Sequence, residues 1–115
     1  MKIKTSELKD RALDWAVAKC IWTEAEWLKP DDFIAAHSYG VASYHTDWSC
    51  GGPIIDRKGI FLTPGSENMW PSARTRTADG RDTGWINGET TLIAAMRCLV
   101  ISELGDEVDV PEELM

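Results

Sequence analysis

The sequence predicts an α+β fold in which a small antiparallel sheet packs against an N-terminal and a C-terminal helix. Residues 8–21 place their apolar side chains at helical spacing, and residues 91–104 ("TLIAAMRCLVISEL") are apolar on nearly every side. Between them, residues 72–87 ("SARTRTADGRDTGWIN") alternate around Asp79-Gly80, a favoured two-residue hairpin turn. A chain of 115 residues is expected to form one domain over 1–115.

Shorter elements are predicted between the two long helices. Thr23 and Glu26 have the spacing of a capping box, which predicts a short helix up to Leu28. Pro30 then restarts the chain, and a further helical turn is expected to end at Gly40.

Three more elements follow from local signals. Pro53 suits the first position of a short helix that Gly59 would end, and residues 60–63 ("IFLT") indicate a buried strand. Thr90 or Thr91 can cap the helix at 91–104, and Gly105 can end it. The tail alternates briefly at its two valines before Pro111, where a last turn is expected. The wide apolar surface of helix 91–104 indicates either a central core helix or one that also contacts a second copy of the chain.

The net charge of −7 comes from one end of the chain. Residues 106–115 contain five acids and no base, whereas residues 1–105 contain 14 acids and 12 bases. This distribution lacks the basic surface that nucleic-acid binding requires, so we expect no direct nucleic-acid partner.

Several features favour a soluble cytoplasmic protein without membrane contact. No apolar run approaches the roughly 20 residues that span a bilayer, and the opening "MKIKTSELKD" lacks the apolar core of a signal peptide. The three cysteines (Cys20, Cys50 and Cys98) form no paired motif, which is typical of reduced thiols.

Three stretches carry a family resemblance: "MKIKTSELKDRALDWAVAKC", "TDWSCGGPII" and "TLIAAMRCLVISELGDEVDVPEEL". Together they resemble the NinX-like family of small proteins encoded by tailed bacteriophages. The resemblance implies an accessory protein that acts in the cytoplasm of an infected bacterium, and it carries over no catalytic residue. The order of a strand, Pro-Gly, "TADG" and a Trp is also similar, as an analogy only, to small phage proteins that sequester nucleotide immune signals.

Neither metal binding nor catalysis is predicted. The spacing of His45, Asp47 and Cys50 fits none of the paired-ligand patterns of zinc sites, and a buried structural thiol explains Cys50 better. No nucleophile motif is present, and Gly51-Gly52 lacks the Lys-Ser/Thr of a phosphate-binding loop. We therefore expect no metal, no cofactor and no enzymatic activity.

The hairpin carries the predicted ligand site. With a two-residue turn at Asp79-Gly80, Arg74 would face Trp85 and Arg76 would face Thr83. Guanidinium groups bind phosphates and a Trp ring stacks on nucleobases. The face of the hairpin that carries the arginines and Trp85 therefore suits an anionic nucleotide-like ligand. The alternative is an exposed hairpin in which Arg74 merely covers Trp85. The candidate contacts are Arg74, Arg76, Arg81, Trp85 and Trp48.

Arg97 needs a partner if its helix is central, because its helical neighbours are apolar. The simplest partner is an acid of the chain itself, with Asp14, Asp47 or Asp56 as candidates. The alternative is an anionic ligand.

The stretch "TDWSCGGPII" is predicted to be structural. Asp47 would cap a tight turn, Trp48 would enter the core, and Gly51 and Gly52 would supply unusual backbone angles before Pro53 starts a helix. The alternative is that the adjacent glycines leave backbone N–H groups free to approach an anion.

Two functions of different classes follow. The first is a non-catalytic, homo-oligomeric binding protein that sequesters a small anionic nucleotide-like molecule as counter-defence. The second is a modulator that docks a host or phage protein through its aromatic surface or its acidic C-terminal tail.

Overall fold

This computed structural model describes residues 1–23 and 25–115 of the chain. These residues contain four α-helices and five short strands. In chain order these elements are β1 (Lys2–Lys4), α1 (Asp10–Trp22), α2 (Pro30–Ser38), α3 (Trp48–Lys58), β2 (Phe61–Thr63), β3 (Ser72–Arg74), β4 (Ile86–Asn87), α4 (Thr91–Leu104) and β5 (Glu107–Asp109). β1 pairs with β5, and the strands of a second sheet lie in the order β2-β3-β4, all antiparallel. The predicted α+β class is confirmed.

α4 is the central helix. It contacts α1, α3 and strands of both sheets, and nine of its residues are buried. Its ends are where the sequence places them. The Thr90 hydroxyl accepts a hydrogen bond from the Ile93 N–H at 3.1 Å, and Gly105 ends the helix with φ +92°. A helix of this composition is stable only when surrounded, and the fold surrounds it.

The acidic tail is part of the core. Val108 pairs with Ile3 across the β1–β5 sheet, and Val108, Val110 and Leu114 are all buried. The predicted turn after Pro111 is present as a 3-10 turn over Glu112–Leu114. The acids of the tail face solvent, and its apolar residues pack against the rest of the protein.

The stretch "TDWSCGGPII" lies differently from the prediction. α3 already begins at Trp48, so Pro53 lies inside the helix instead of starting it. The predicted cap is confirmed, because the Asp47 carboxylate accepts a hydrogen bond from the Ser49 N–H at 2.9 Å. The predicted burial of Trp48 is wrong, since this residue is 53% exposed.

The adjacent glycines have helical backbone angles, so the predicted unusual conformation is also wrong. Gly51 is needed for close packing instead. A Cβ at this position would lie 2.6 Å from both the Leu92 Cδ1 and the Tyr44 carbonyl oxygen. α3 and α4 can therefore approach closely only with glycine here.

The hairpin has the predicted register at its base and a different one at its tip. Ala73 pairs with Ile86 as expected, but Arg76 lies opposite Asp82 instead of Thr83. The Thr77 N–H donates to the Arg81 carbonyl at 2.7 Å, which closes a three-residue loop with Gly80 at φ +88°. The predicted two-residue turn is therefore wrong, because glycine serves the left-handed position of the longer loop equally well.

The segment after α1 also differs from the prediction. Thr23 has φ +48° and ends α1, so it does not start a capping box. The predicted helix up to Leu28 includes residue 24, which lies outside the described residues, and Glu26–Leu28 form a 3-10 turn. α2 begins at Pro30 as expected.

Candidate ligand-binding surfaces

The three-stranded sheet carries an open cleft of about 420 Å³, here named the hairpin cleft. Two exposed aromatic side chains border it, Trp85 at 49% and Phe61 at 68% exposure. Phe61 lies directly across from Arg74 in the β2–β3 register. The cleft is lined by Phe61, Leu62, Arg74, Thr75, Arg76, Asp82 and Trp85.

The two guanidinium groups of the cleft differ in their contacts. Arg74 forms an ion pair with Asp82, and its guanidinium lies 5.3 Å from the centre of the Trp85 ring. Arg76 donates to the Gly80 carbonyl at 3.3 Å and has no carboxylate partner among the described residues. The pKa of Asp82 is lowered by the hydrogen bond from the Gly84 N–H and further by Arg74, so this acid stays ionised.

The remaining predicted contacts lie elsewhere. Arg81 pairs with Asp79 at the hairpin tip, with 3.3 Å between the Arg81 Nε and the Asp79 carboxylate, and it does not line the cleft. Trp48 borders a different pocket, of about 410 Å³, with His45 and the start of α4. Gly52 lies within α3, where a Cβ would meet only the Trp48 ring. The structure therefore brings Arg74, Arg76 and Trp85 together and separates Arg81 and Trp48 from them.

Arg97 is bound by backbone carbonyls. Its side chain is buried, with Nε donating to the Leu8 carbonyl at 2.8 Å and Nη1 donating to the Asn87 carbonyl at 3.2 Å. The expectation of a partner among Asp14, Asp47 and Asp56 is wrong, because none of these acids pairs with it. Burial lowers the pKa of the guanidinium, which the nearby Glu89 partly opposes. Arg97 therefore links the segment that precedes α1 to strand β4 through two hydrogen bonds.

Sequence reasoning missed the most buried charge of the described chain. The Asp14 carboxylate has no solvent exposure and binds both histidines of the protein. His37 Nε2 and His45 Nδ1 each lie 2.7 Å from a different oxygen of Asp14, and the His45 N–H donates to the same carboxylate at 3.0 Å. The available signal was the pair of apolar residues one turn further along α1, Val17 and Ala18, which indicates that Asp14 points inward.

This Asp14 centre joins three segments of the chain. α1 supplies the acid, α2 supplies His37, and the loop before α3 supplies His45. The Phe33 ring stacks on His37 with 5.4 Å between ring centres, which orients the imidazole. The hydrogen bond to Asp14 raises the pKa of His45, and burial only partly opposes this effect.

Two of the three cysteine thiols are affected by burial. Burial raises the pKa of Cys20 to about 12 and also raises the pKa of Cys98, so both thiols are held in the unreactive protonated form. Within residues 1–23 and 25–115, His, Cys, Asp and Glu side chains form no group of three that could hold a metal ion. In the same part of the chain, no helix has the length and apolar character to cross a membrane.

Comparison with known proteins identifies the family. A family model described as "Bacteriophage P22, NinX" matches residues 4–103. The chain belongs to this phage family. No curated protein and no solved structure matches it. The matched range covers the hairpin cleft, Arg97 and the Asp14 centre, and it stops before β5 and the acidic tail.

Proposed function

We propose that this phage protein captures a small anionic, nucleotide-like molecule in the hairpin cleft without chemical turnover. One observation carries the proposal: two exposed aromatic rings and two guanidinium groups line the same cleft of about 420 Å³. Sites for small ligands typically have a volume of roughly 300–1,000 Å³ and combine an apolar surface with a few polar groups.

Each group of the cleft has a role in such binding. A nucleobase would stack on Trp85 or Phe61, whose exposed faces have no other ring in contact among the described residues. Phosphate oxygens would bind Arg76, which has no carboxylate partner to give up, and Arg74 would add a second contact. Asp82 is ionised and could accept a hydrogen bond from a ribose hydroxyl or a base amino group.

Sequestration without turnover suits a phage accessory protein in the cytoplasm of an infected bacterium. A binding protein lowers the free concentration of a host signal by mass action, and this effect needs no catalytic group. We further propose that the protein acts as a homo-oligomer, in which a second copy would close the open side of the cleft.

A thermal-shift screen tests this proposal. The purified protein would be screened against linear and cyclic nucleotides and ADP-ribose-like compounds, together with Arg74→Ala, Arg76→Gln and Trp85→Ala variants. A ligand at 100 times its Kd stabilises the native state by about 2.7 kcal/mol, which raises Tm by several degrees. The matched control is Trp70→Ala, which removes an exposed Trp that does not line the cleft.

The expected result is a shift with one compound class that the control keeps and the cleft variants lose. Equal shifts in the Trp85→Ala and wild-type proteins would place the ligand outside the cleft. No shift across the whole panel would overturn the proposal.

A second candidate function is supported by a different observation. Four large apolar side chains on or beside the three-stranded sheet are exposed: Phe61, Met69, Trp70 and Trp85. Exposed aromatic residues are typical of protein interfaces, so this surface could dock a host or phage protein. Pull-downs from infected cells with Trp70→Ala and with Trp48→Ala as the control would test it, because Trp48 is similarly exposed but lies by a different pocket. Capture that both variants retain would contradict docking at this surface.

A further inference from the structure

A groove of about 880 Å³ lies between β1, the start of α1 and the last residues of the chain. It has about twice the volume of the hairpin cleft and shares no residue with it. We name it the N-terminal groove, and its floor is apolar, formed by the buried Leu8, Ala12 and Leu114, with Ile3 and Met115 beside them.

The rim of this groove carries four cations, Lys2, Lys4, Lys9 and Arg11. None of them forms an ion pair among the described residues. The two lysines of β1 face acids across the β1–β5 sheet without forming an ion pair, and Lys4 faces Glu107. Lys2 faces Asp109 in the β1–β5 register, but the Asp109 carboxylate binds the N-terminal ammonium of Met1 at 2.9 Å.

Arg11 has unused hydrogen-bonding capacity. Its Nη2 donates to the Glu113 carbonyl at 3.1 Å, whereas its Nε is buried and has no partner among the described residues. A buried donor without an acceptor is unfavourable by roughly 1–3 kcal/mol, so a ligand in the groove that drew the guanidinium outward would relieve this unfavourable burial.

β1 also offers an open edge. Met1 and Val110 exchange both backbone hydrogen bonds, and the Thr5 N–H donates to the Asp106 carbonyl at 2.7 Å. Antiparallel pairs alternate between bonded and non-bonded residues, so the peptide N–H groups of Lys2 and Lys4 point away from β5. An extended chain can add to such an edge through main-chain hydrogen bonds.

We propose that the N-terminal groove binds an extended acidic peptide segment of a partner protein. The four unpaired cations select carboxylates, the floor accepts apolar side chains, and the edge of β1 pairs with the peptide backbone. Side chains of an extended chain alternate in direction, so one peptide can present both kinds of group. Three acids also line the groove (Glu7, Asp10 and Glu107), so the occupant should alternate acidic and apolar residues instead of being uniformly acidic.

Fluorescence anisotropy tests the proposal with the full chain. The probe is a fluorescein-labelled octapeptide, Glu-Leu-Asp-Val-Glu-Leu-Asp-Val, compared with the same peptide carrying Lys in place of each acid. We expect saturable binding of the acidic peptide alone, weakened at least about fivefold by Lys9→Glu and by Arg11→Gln. Lys29→Glu is the matched control, because Lys29 is also exposed but lies outside the groove.

Two further arms separate this inference from the alternatives. An octapeptide with N-methylated backbone amides should lose binding, and unchanged binding would overturn pairing with β1. Competition by inorganic phosphate or AMP, at concentrations that leave the ionic strength nearly constant, would indicate a site for small anions. That result would overturn the proposal of a peptide ligand. Trp85→Ala should leave peptide binding unchanged, so the result does not depend on the hairpin cleft.

Discussion

The hairpin cleft and the N-terminal groove both carry arginine or lysine at the surface, but they differ in how many of these cations form ion pairs. In the hairpin, Arg74 is paired with Asp82 and Arg81 with Asp79, whereas Arg76 lacks a carboxylate partner among the described residues. In the groove, no cation has an ion-pair partner among the described residues, although acids lie nearby. The region with the more conspicuous basic motif therefore has less unpaired charge to offer a ligand.

This difference shows that the presence of an arginine or lysine does not by itself mean that its charge is free to bind an anion. The arginines of the hairpin lie close in sequence to acids of the same ribbon, and turn formation brings them together. The lysines of β1 face acids only across the β1–β5 sheet. The N-terminal ammonium binds one of these acids, Asp109. An exposed pair contributes little stability, yet it lowers the charge that an incoming anion meets.

The largest effect is expected where the groove meets the core. Val110 is completely buried beside β1, so Val110→Asp should place a carboxylate out of contact with water and should cost about 4 kcal/mol or more. That loss is comparable with the whole stability of a small domain. Urea unfolding followed by Trp fluorescence measures it, and Val41→Asp, at an exposed position, is the control. A stable, fully folded Val110→Asp protein would show that the tail is separable from the fold.

The Asp14 centre differs from both surfaces because its charges are paired and buried. Asp14→Asn should cost about 3–5 kcal/mol, since it removes the negative partner of two imidazoles. Chemical denaturation at pH 6 measures this change. Asp31→Asn is the control, because Asp31 is an exposed acid in the first turn of α2. Equal stability of the two variants would contradict the role of the centre.

The same centre predicts the pH dependence of stability. The pKa of His45 is raised above its ordinary value of 6.5, so the folded state holds this proton more tightly than the unfolded chain does. The stabilisation is therefore fully present below pH 6.5 and is lost as the pH rises through the raised pKa. The free energy of unfolding, measured from pH 5.5 to 8.5, should decrease as the pH rises. His45→Gln should weaken this dependence of stability on pH. A stability that rises with pH over the same window would have the wrong sign.

Arg97 connects the two regions, because it binds the carbonyl of Leu8 in the groove and that of Asn87 in β4. Arg97→Met should cost about 1–3 kcal/mol: two carbonyls lose their donors, while the removal of a buried charge offsets part of the loss. Denaturation midpoints measure the effect, with the exposed Arg57→Met as the control. A stabilised Arg97→Met protein would mean that the desolvation of the guanidinium outweighs its hydrogen bonds.

The smallest effect is expected at the ion pair between Arg74 and Asp82. Asp82→Asn should leave Tm nearly unchanged but release Arg74, which would raise the affinity of the hairpin cleft for pyrophosphate by about two- to fivefold. Isothermal titration calorimetry measures it. Asp79→Asn, which releases Arg81 away from the cleft, is the matched control. Weaker binding by Asp82→Asn would indicate that this acid contacts the ligand itself.

Elements whose signals are local could be predicted from the amino-acid sequence. The apolar pattern of α4, its Thr90 cap and its Gly105 end could all be predicted because they depend on residues within one or two turns. The Asp47 cap and the left-handed Gly59 after α3 are of the same kind. The register at the base of the hairpin is the one that a two-residue turn predicts, but the tip forms a three-residue loop, because Asp79-Gly80 suits turns of two lengths.

Tertiary structure alone decided which polar groups meet. Asp14 lies 23 residues from His37 and 31 from His45, and Arg97 lies 89 residues from Leu8. No periodicity encodes such pairs, because a buried charge takes whichever partner the packing of the helices brings within hydrogen-bond distance. The same reason explains why Trp48 is exposed and why the lysines of β1 are unpaired: burial and charge pairing depend on what the rest of the chain places beside a residue.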